Sequence, residues 1–447
     1  MASHLFYQSS LPRPELDRAD GIYMWDTAGK RYIDGSSGAM VSNIGHSNSA
    51  VLSAMRAQMD KATFGYRLHF QTEPSEALAE KISTLTPEGL DRVFFVSGGS
   101  EAVESALKMA RQYALTQGQA QRTKVISRTP SYHGATLGAL AITGYAPMTA
   151  PFDPMMQAMP KIPAPRAYLD GLDIDDPATG LHYANMLETK ILEEGPETIL
   201  AFIVEPIGGA STGALVPPAG YMRRIREICD QYGVLLIHDE VMTGGGRTGR
   251  FFGAEHWEVR PDIIALSKGF GAGYVPLGAM IARDDMVDAV MNSGGFIHGY
   301  TYAGNPLACT AGLAVLNEIE AQGLTNNAAS MGDALTTRLQ SLMQRYPVIG
   351  DVRGKGLLLA FELMADRGTK EPLPAAFNAY TRLVDIAYEN GLIIYSRRTR
   401  GGLSGDHFLV CPPMIVTEPQ LDEIAEILDR SLEQLTAEMP DPTNPQA

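Results

Sequence analysis

One lysine of this sequence lies on a stretch of small and apolar residues with no charged neighbour. Lys268 stands within ALSKGFGAGYVPLGAMI, residues 265–281, and the nearest carboxylate residue before it is Asp262. A lysine that solvates a surface usually lies among other charged residues, whereas one that attacks a carbonyl group needs a restricted, partly dry site. The setting makes Lys268 a candidate nucleophile, and an ordinary surface turn is the alternative.

An aspartate closes an apolar run earlier in the chain. Asp239 follows residues 235–238 in the stretch LLIHDEVMTG. An ionised carboxylate at such a place is costly unless it meets a cation or several hydrogen-bond donors, and a protonated ring nitrogen is a cation of that kind. The alternatives are a helix N-cap, a salt bridge to Arg247 or Arg250, and competition from Glu240 for the same role.

Two further segments could hold an aromatic ligand that carries a phosphate. SGGSEAVE, residues 97–104, joins a strand pattern to a helical one, so backbone N–H groups at Gly99 and Ser100 would face an anion. Tyr132, in SYHGAT, could stack its ring on the ligand. An ordinary turn capped by Ser100 and a buried tyrosine without a function are the respective alternatives.

A phosphate cradle, a stacking ring, a buried aspartate and a lysine together fit one cofactor, pyridoxal 5'-phosphate (PLP). Its aldehyde needs a lysine to form a Schiff base, and its ring nitrogen needs an acid partner if the ring is to withdraw electrons. The sequence therefore predicts PLP as the cofactor.

The elements that must position these residues follow the pattern of parallel strands joined by helices. Apolar runs at 199–204 and 234–238 each end in a carboxylate, Glu205 or Asp239, and an amphipathic helix pattern lies between them. Continuous apolar runs indicate strands buried on both faces, and ligands bind beyond the carboxyl ends of such strands. After about residue 306 the pattern changes to helices with short strands, which predicts a smaller α+β domain.

Composition and charge narrow the classes of function. The net charge of −15 argues against non-specific nucleic-acid binding, and no window approaches the roughly 20 apolar residues of a membrane-spanning helix. The three cysteines lie far apart without the spacing of a metal site, so we expect neither a disulfide framework nor a bound metal. Because the N-terminal segment lacks the pattern of a secretory signal, we expect a cytoplasmic enzyme with no nucleic-acid or membrane partner.

Seven segments, in order along the chain, resemble the class III aminotransferases, the fold-type-I PLP enzymes that include the ω-transaminases. The resemblance spans nearly the whole chain, and its segments are SGGSEAVESALKMAR, SYHGATLGA, EPIGGASTGALVPPAGY, LLIHDEVMTGGGRTG, DIIALSKGFGAGYVPLGA, GYTYAGNPLACTAG and VRGKGLLLAFEL. It implies an α/β fold with a large, mostly parallel sheet domain at residues 61–310. A smaller α+β domain would combine the N-terminal segment 1–60 with residues 311–447.

The resemblance also implies a role for each matching residue. Catalytic roles fall on Lys268 as the Schiff-base lysine, Asp239 as the partner of the pyridine nitrogen, and Tyr132 as the stacking ring. The remaining cofactor-binding positions are Gly99, Ser100, Glu205, Val241 and Thr301. Thr301 would reach the phosphate from a neighbouring subunit, which implies a homodimer with shared active sites, and a dimer of dimers stays open.

The reaction that the resemblance implies moves an amino group from an amine or ω-amino acid to a 2-oxo acid. Pyruvate is the expected acceptor, with 2-oxoglutarate as the second choice. Because one scaffold supports several chemistries, an aminomutase, a decarboxylase and an ammonia-lyase remain alternatives, as does a catalytically idle PLP-binding protein.

Contacts to the substrate are expected from two regions. Arg397 and Arg398, with Arg400, stand on YSRRTRGGLSGDH, where a guanidinium could bind a carboxylate. A solvated basic loop is the alternative reading of this stretch. The other expected substrate residues are Tyr66 and Met40, which occupies a place where related sequences often carry a tryptophan and could equally fill the core.

Overall fold

The computed structural model describes residues 4–7 and 13–439. This part of the chain contains sixteen β-strands in three sheets. The strands are β1 (Leu16–Asp20), β2 (Tyr23–Asp26), β3 (Arg31–Asp34), β4 (Arg92–Val96), β5 (Lys124–Thr129), β6 (Lys161–Pro163), β7 (Ile199–Val204), β8 (Leu235–Asp239), β9 (Ile263–Leu266), β10 (Gly278–Ala282), β11 (Ile349–Lys355), β12 (Leu358–Asp366), β13 (Glu371–Pro372), β14 (Leu392–Ile393), β15 (Tyr395–Arg400) and β16 (Ser404–Val410).

Fourteen α-helices occur in the same described residues, together with five short 3-10 turns. The helices are α1 (Ser37–Met40), α2 (Ser49–Lys61), α3 (Glu73–Ser83), α4 (Gly99–Thr116), α5 (Leu137–Ala141), α6 (Ala146–Thr149), α7 (Ala167–Asp170), α8 (Pro177–Glu194), α9 (Tyr221–Tyr232), α10 (Asp284–Asn292), α11 (Pro306–Ala321), α12 (Leu324–Arg345), α13 (Ala379–Glu389) and α14 (Glu418–Glu438). The 3-10 turns are Ala150–Met155, Pro196–Thr198, Gly253–Trp257, Lys268–Phe270 and Ala375–Phe377.

The largest sheet has seven strands in the order β4-β10-β9-β8-β7-β5-β6. The strands from β9 to β6 run parallel to one another, and β10 runs antiparallel to both β9 and β4. Every residue of β7, β9 and β10 is buried. Full burial of this kind requires cover on both faces, as in doubly wound sheets. The predicted large, mostly parallel sheet is confirmed.

Helices supply that cover from both sides. The buried residues of α4, such as Val103 and Met109, pack with one set of strand residues, and Tyr183 and Ile225 of α8 and α9 pack with the other set. Helix α9 ends at Tyr232 and is followed by Gly233, whose φ of 61° is the left-handed conformation that commonly closes a helix. The chain can therefore turn directly into β8, which places Asp239 at the carboxyl end of the strands.

Two smaller sheets combine the beginning and the end of the chain. One has the order β1-β2-β3-β14, in which Leu392 of β14 pairs in parallel with Ile33 of β3. The other has the order β11-β12-β16-β15, with β13 beside β12. This arrangement confirms a smaller α+β domain built from N- and C-terminal segments. Its predicted boundaries, after residues 60 and 310, stay a prediction.

Three further observations concern membrane-spanning helices, metal-binding clusters and the cysteines. Within residues 4–7 and 13–439, no helix combines the length and apolar character needed to cross a lipid bilayer. The same residues contain no group of three or more His, Cys, Asp or Glu side chains arranged to hold a metal ion. Cys229, Cys309 and Cys411 are free thiols, and each is buried.

Candidate active site

A cavity of about 430 Å³ lies where three strands of the large sheet reach their carboxyl ends. Glu205 follows β7, Asp239 closes β8, and Lys268 comes two residues after β9. Nine of the twelve predicted site residues line this cavity: Met40, Gly99, Ser100, Tyr132, Glu205, Asp239, Val241, Lys268 and Arg397. Tyr66, Thr301 and Arg398 do not.

Lys268 is held in an unusual backbone conformation at the floor of the cavity. It begins a 3-10 turn with a φ of 48°, a left-handed value that is uncommon for a residue with a side chain. Its ammonium has no hydrogen bond or ion pair among the described residues. Burial lowers the pKa of Lys268, and the nearby charges of Asp239 and Glu205 partly oppose that shift. The arrangement favours a free amine, which is the nucleophilic form.

Asp239 is oriented by a histidine and by the backbone. Its Oδ2 lies 2.7 Å from Nδ1 of His133, and its Oδ1 accepts the N–H of Val241 at 3.1 Å. Only 5% of the Asp239 surface is exposed. The carboxylate therefore faces the cavity from a fixed position, with water largely excluded.

None of the alternatives considered for Asp239 is present in the described residues. Glu240 turns away from the cavity and accepts the N–H groups of Gly253 and Ala254, each at 2.8 Å. Arg247 donates instead to Ser37, to Asn43 and to backbone carbonyls of the C-terminal segment. No basic side chain pairs with Asp239 other than the imidazole of His133 within the described residues.

The loop at residues 97–100 forms the anion-binding end of the cavity. Helix α4 begins at Gly99, so its free N–H groups and the positive end of its dipole point into the cavity. Ser100 Oγ accepts the N–H of Ala135 at 3.0 Å. A Cβ added at Gly99 would approach Val241 Cγ1 to 2.9 Å, so glycine lets the start of α4 pack closely against Val241.

Glu205 is a buried carboxyl group with one oxygen unused. Its Oε1 accepts the N–H of Gly209 at 2.9 Å, whereas its Oε2 lacks a hydrogen-bond partner and lies 3.9 Å from Nη2 of Arg128. Burial raises the pKa of Glu205, against the lowering effect of His133 and Arg128. Glu205 therefore adds a buried acid group to the wall of the cavity.

The three arginines of β15 have different surroundings. Arg397 lines the cavity, its guanidinium lies 4.6 Å from the Tyr395 ring centre, and it pairs with no carboxylate among the described residues. Arg398 is ion-paired to Asp406 at 2.9 Å. Arg400 donates to the carbonyl of Lys370. Arg397 is therefore the arginine that lines the cavity, whereas Asp406 holds Arg398 outside it, and a substrate role for Arg398 stays a prediction.

The remaining predicted site residues lie in different places. Met40 has a φ of 57°, is 2% exposed, and packs with Leu409 while lining the cavity, so it fills the core and its substrate role stays a prediction. Tyr66 contacts the His69 ring with centroids 5.2 Å apart, outside the cavity of a single chain. Thr301 is exposed on the loop before α11, beside the exposed Tyr302.

Several cavity residues carry no sequence signal that singles them out. Ala210 and Ser211 reach the cavity from the loop after β7, and Tyr395 reaches it from the start of β15. The first two belong to EPIGGASTGALVPPAGY, but nothing in that segment tells which positions face inwards. A second cavity of about 640 Å³ adjoins this region and contains neither Lys268 nor Asp239. The chemistry therefore belongs to the smaller cavity.

The fold and the site together define a fold-type-I PLP enzyme: an unpaired lysine, a carboxylate and a helix N-terminus converge at the carboxyl ends of a mostly parallel sheet. The family model described as aminotransferase class-III matches residues 8–432. The chain belongs to the class III aminotransferase family.

Known relatives extend over nearly the full chain. The aminotransferase YodT of Bacillus subtilis is 37% identical over 437 residues, which cover 97% of this chain and 98% of YodT. The putrescine–pyruvate aminotransferase of Pseudomonas aeruginosa is 34% identical over 426 residues, covering 94% of this chain and 91% of that enzyme. A solved structure is also similar: the crystal structure of an amine transaminase from an uncultivated Pseudomonas species in its PLP-bound internal aldimine form. Its TM-score is 0.91 and its sequence identity 36%, and the match covers 97% of this chain and 99% of that chain.

The residues of the cavity fit PLP, the cofactor of this family. Gly99 and Ser100 line the cavity at the N-terminus of α4, where free N–H groups would bind a phosphate. Asp239 offers a fixed carboxylate for the ring nitrogen, and Lys268 offers an amine that has no hydrogen-bond partner within the described part of the chain. The predicted cofactor is confirmed by the family and suits these side chains.

Proposed function

We propose that this protein transfers an amino group from an amine or ω-amino acid to a 2-oxo acid, with pyruvate as the acceptor. The observation that carries the proposal is one cavity that contains both the reactive pair, Lys268 and Asp239, and Arg397, an arginine that pairs with no acid in the part of the chain that the structure describes. The pair suits proton transfer next to a nitrogen, and the arginine suits a carboxylate. The acceptor named for the Pseudomonas aeruginosa relative, pyruvate, supports the choice.

Lys268 is the residue proposed to bind the cofactor covalently and to move the proton. When bound, PLP supplies an aldehyde that takes up the amino group and a ring that withdraws electrons. The Lys268 amine, with a pKa lowered by burial, removes the proton from the substrate carbon that bears nitrogen. It can then return that proton to the cofactor carbon on the other side of the same nitrogen. Its restricted cavity keeps that proton from exchanging freely with bulk water.

Asp239 is proposed to keep the ring nitrogen protonated. A carboxylate with 5% exposure interacts strongly with a nearby positive charge, because little water screens the pair. His133 holds the carboxylate in place through its Nδ1 at 2.7 Å. Tyr132 and Val241 line the same cavity and are proposed to pack on the two faces of the ring.

The proposed assembly is a homodimer with shared active sites. Thr301 and Tyr302 are exposed and belong to a loop that carries another large exposed apolar residue, Ile297. Phe64, also exposed, packs edge-on against Tyr302 with ring centroids 6.1 Å apart. A second copy would cover these side chains and bring its own Thr301 to the phosphate end of this cavity.

The test of the proposed function is a count of turnovers with and without a 2-oxo acid. Purified holoenzyme is mixed with a primary amine, and the carbonyl product is measured. Without pyruvate we expect one equivalent of product per subunit and then no more, and with pyruvate we expect continued turnover and alanine. Continued turnover without any 2-oxo acid would favour the aminomutase, decarboxylase or ammonia-lyase alternatives instead.

A further inference from the structure

Ser211 is a buried hydroxyl in the wall of the active-site cavity with no use inside the protein. It is 3% exposed, and its Oγ has no hydrogen-bond partner among the described residues. Leaving a buried hydroxyl without a partner is energetically unfavourable. Because Ser211 lines the same cavity as Lys268 and Arg397, a ligand in that cavity can provide the missing partner.

The loop that carries Ser211 is held in place on both sides. At its start, Gly209 donates to Glu205 Oε1 at 2.9 Å, and the carbonyl of Ala210 accepts from Nε2 of His407 at 2.8 Å. Arg353 donates from Nε to the Gly213 carbonyl at 2.6 Å. A position held this firmly presents its side chain in a defined place, which is what specific recognition needs.

Arg353 also holds Thr212, the residue directly after Ser211. Its Nη2 donates to the Thr212 carbonyl at 3.0 Å. The hydroxyl of Thr212 is used within the loop, where it contacts the Gly209 carbonyl at 3.4 Å. Thr212 also lines the second, larger cavity rather than the active-site cavity. Of the two adjacent hydroxyl residues, only Ser211 is therefore free to contact a substrate.

We propose that Ser211 donates a hydrogen bond to the acid group of the substrate, a carboxylate or a sulfonate, together with the guanidinium of Arg397. The inference rests on the proposed function and adds a residue to its substrate site. Arg397 brings a charge and several N–H donors, and the serine hydroxyl adds one more donor whose position is fixed by the loop. An uncharged amine or aldehyde has no oxygen anion to meet this hydroxyl, so Ser211 separates acid-bearing substrates from neutral ones.

The experiment compares two acceptors on holoenzyme loaded with pyridoxamine 5'-phosphate. Pyruvate carries the carboxylate, and acetaldehyde is the same molecule without it. For Ser211→Ala we expect the apparent affinity for pyruvate to fall about 10-fold, the loss typical of one hydrogen bond to a charged group. The maximal rate with pyruvate and both constants for acetaldehyde should stay at wild-type values, and Ser211→Thr should restore pyruvate binding.

Two non-reacting acids identify which anion the hydroxyl serves. Propanoate and methanesulfonate are tested as competitive inhibitors against pyruvate. A higher inhibition constant for either acid in Ser211→Ala than in wild type supports the proposal and identifies the anion. Thr212→Val is the matched control, which changes the neighbouring hydroxyl and should leave both acceptors unaffected. Equal losses for pyruvate and acetaldehyde in Ser211→Ala, or no loss for either, would overturn it.

The failure of this inference can be told apart from a failure of the proposed function. If wild-type protein does not convert its pyridoxamine form with pyruvate at all, the proposed function fails. If wild-type protein reacts and Ser211→Ala reacts equally well at every pyruvate concentration, only the role of Ser211 fails.

Discussion

Nδ1 of His133 lies 2.7 Å from Oδ2 of Asp239, and both side chains are almost fully buried. The carboxylate accepts, so the histidine must carry its proton on Nδ1, and its Nε2 has no partner among the described residues. The bond fixes the rotation of the Asp239 carboxylate toward the cavity. His133 is thus a positioning residue for the group that is proposed to meet the cofactor ring.

Replacement of Asp239 tests its proposed electrostatic role. Asp239→Asn keeps the shape of the side chain and removes its charge, so we expect transamination to slow by about 10²–10³-fold, as for other preorganised electrostatic groups. Covalent attachment of PLP to Lys268, measured by borohydride reduction and peptide mapping, should persist. A rate within a factor of about 3 of wild type would contradict the role.

The contribution of His133 should be smaller and should act through Asp239. We expect His133→Ala to lower the rate less than Asp239→Asn does, and His133→Asn, which can still donate a hydrogen bond, to retain more activity than the alanine variant. In the Asp239→Asn background, His133→Ala should add little, because the carboxylate that it positions is already gone. Independent, additive losses in the double variant would argue against this coupling.

The identity of the reactive lysine is tested by covalent labelling. Lys268→Ala should give no pyridoxyl-labelled peptide after borohydride treatment and no measurable transamination. Lys355→Ala is the matched control, since Lys355 lines the second cavity and also has no ion-pair partner among the described residues. Label on any residue other than Lys268 in the wild-type protein would refute the assignment.

The lowered pKa of Lys268 predicts how PLP capture depends on pH. Only the unprotonated amine attacks the aldehyde, so the rate of covalent PLP uptake by cofactor-free protein should rise with pH and level off below the ordinary lysine pKa of about 10.4. Nα-acetyl-lysine in solution serves as the reference. Asp239→Asn should move the plateau to still lower pH, since the Asp239 charge raises the pKa of Lys268. A plateau at the same pH as the free amino acid would count against this account.

The two arginines of β15 provide a matched pair for the acid-binding site. Arg397→Ala should raise the apparent KM for pyruvate about 10- to 100-fold, because a charged hydrogen-bond partner of the carboxylate is lost. Arg398→Ala should leave that KM near wild type and lower thermal stability, since it leaves the 3%-exposed Asp406 side chain without its cation. The reverse pattern would show that Arg398 reaches the substrate.

Because two histidines are buried, we expect the free energy of unfolding to fall in mild acid. Burial lowers the pKa of both His238 and His407 to about 3. Their pKa in the unfolded chain is about 6.5, so the unfolded state binds more protons below that pH. The stability that these groups contribute is present above pH about 6.5 and falls by up to about 1.4 kcal/mol per pH unit for each histidine as the pH drops.

The measurement compares unfolding midpoints at pH 7.5 and 5.5 for wild type and His238→Leu. His238 is suitable because neither ring nitrogen has a hydrogen-bond partner among the described residues, so the leucine loses no such bond. We expect the drop between the two pH values to be smaller in the variant. An identical drop in both proteins would show that His238 does not titrate on unfolding.

The sequence was most informative where a fully buried strand ends in a charged residue. Glu205 follows an uninterrupted apolar run, and Asp239 follows an apolar run that only His238 separates from it, so both strands and the place where their side chains meet could be predicted. The direction of β10 could not, since Gly278–Ala282 is apolar throughout and buried on both faces in either orientation. An apolar run specifies burial and leaves strand polarity to the rest of the fold.

The substrate side of the cavity was harder to predict because its residues come from loops and a polar strand. Arg397 and Arg398 are adjacent and chemically identical, and only the position of Asp406 across the strand pair separates their environments. Ser211 is missed for a related reason: a serine in a glycine-rich loop carries no periodicity that tells which way its hydroxyl points. Such assignments need the contacts between distant segments.

The pairing of β14 with β3 has a consequence for synthesis. Asp34 closes β3, and the strand that completes this sheet begins only at Leu392. At ordinary ribosomal speeds of about 5–20 residues per second, the gap corresponds to tens of seconds. Throughout that interval the nascent sheet of β1, β2 and β3 keeps its β3 edge unpaired. That edge can pair wrongly with another growing chain until the last part of the polypeptide emerges and covers it.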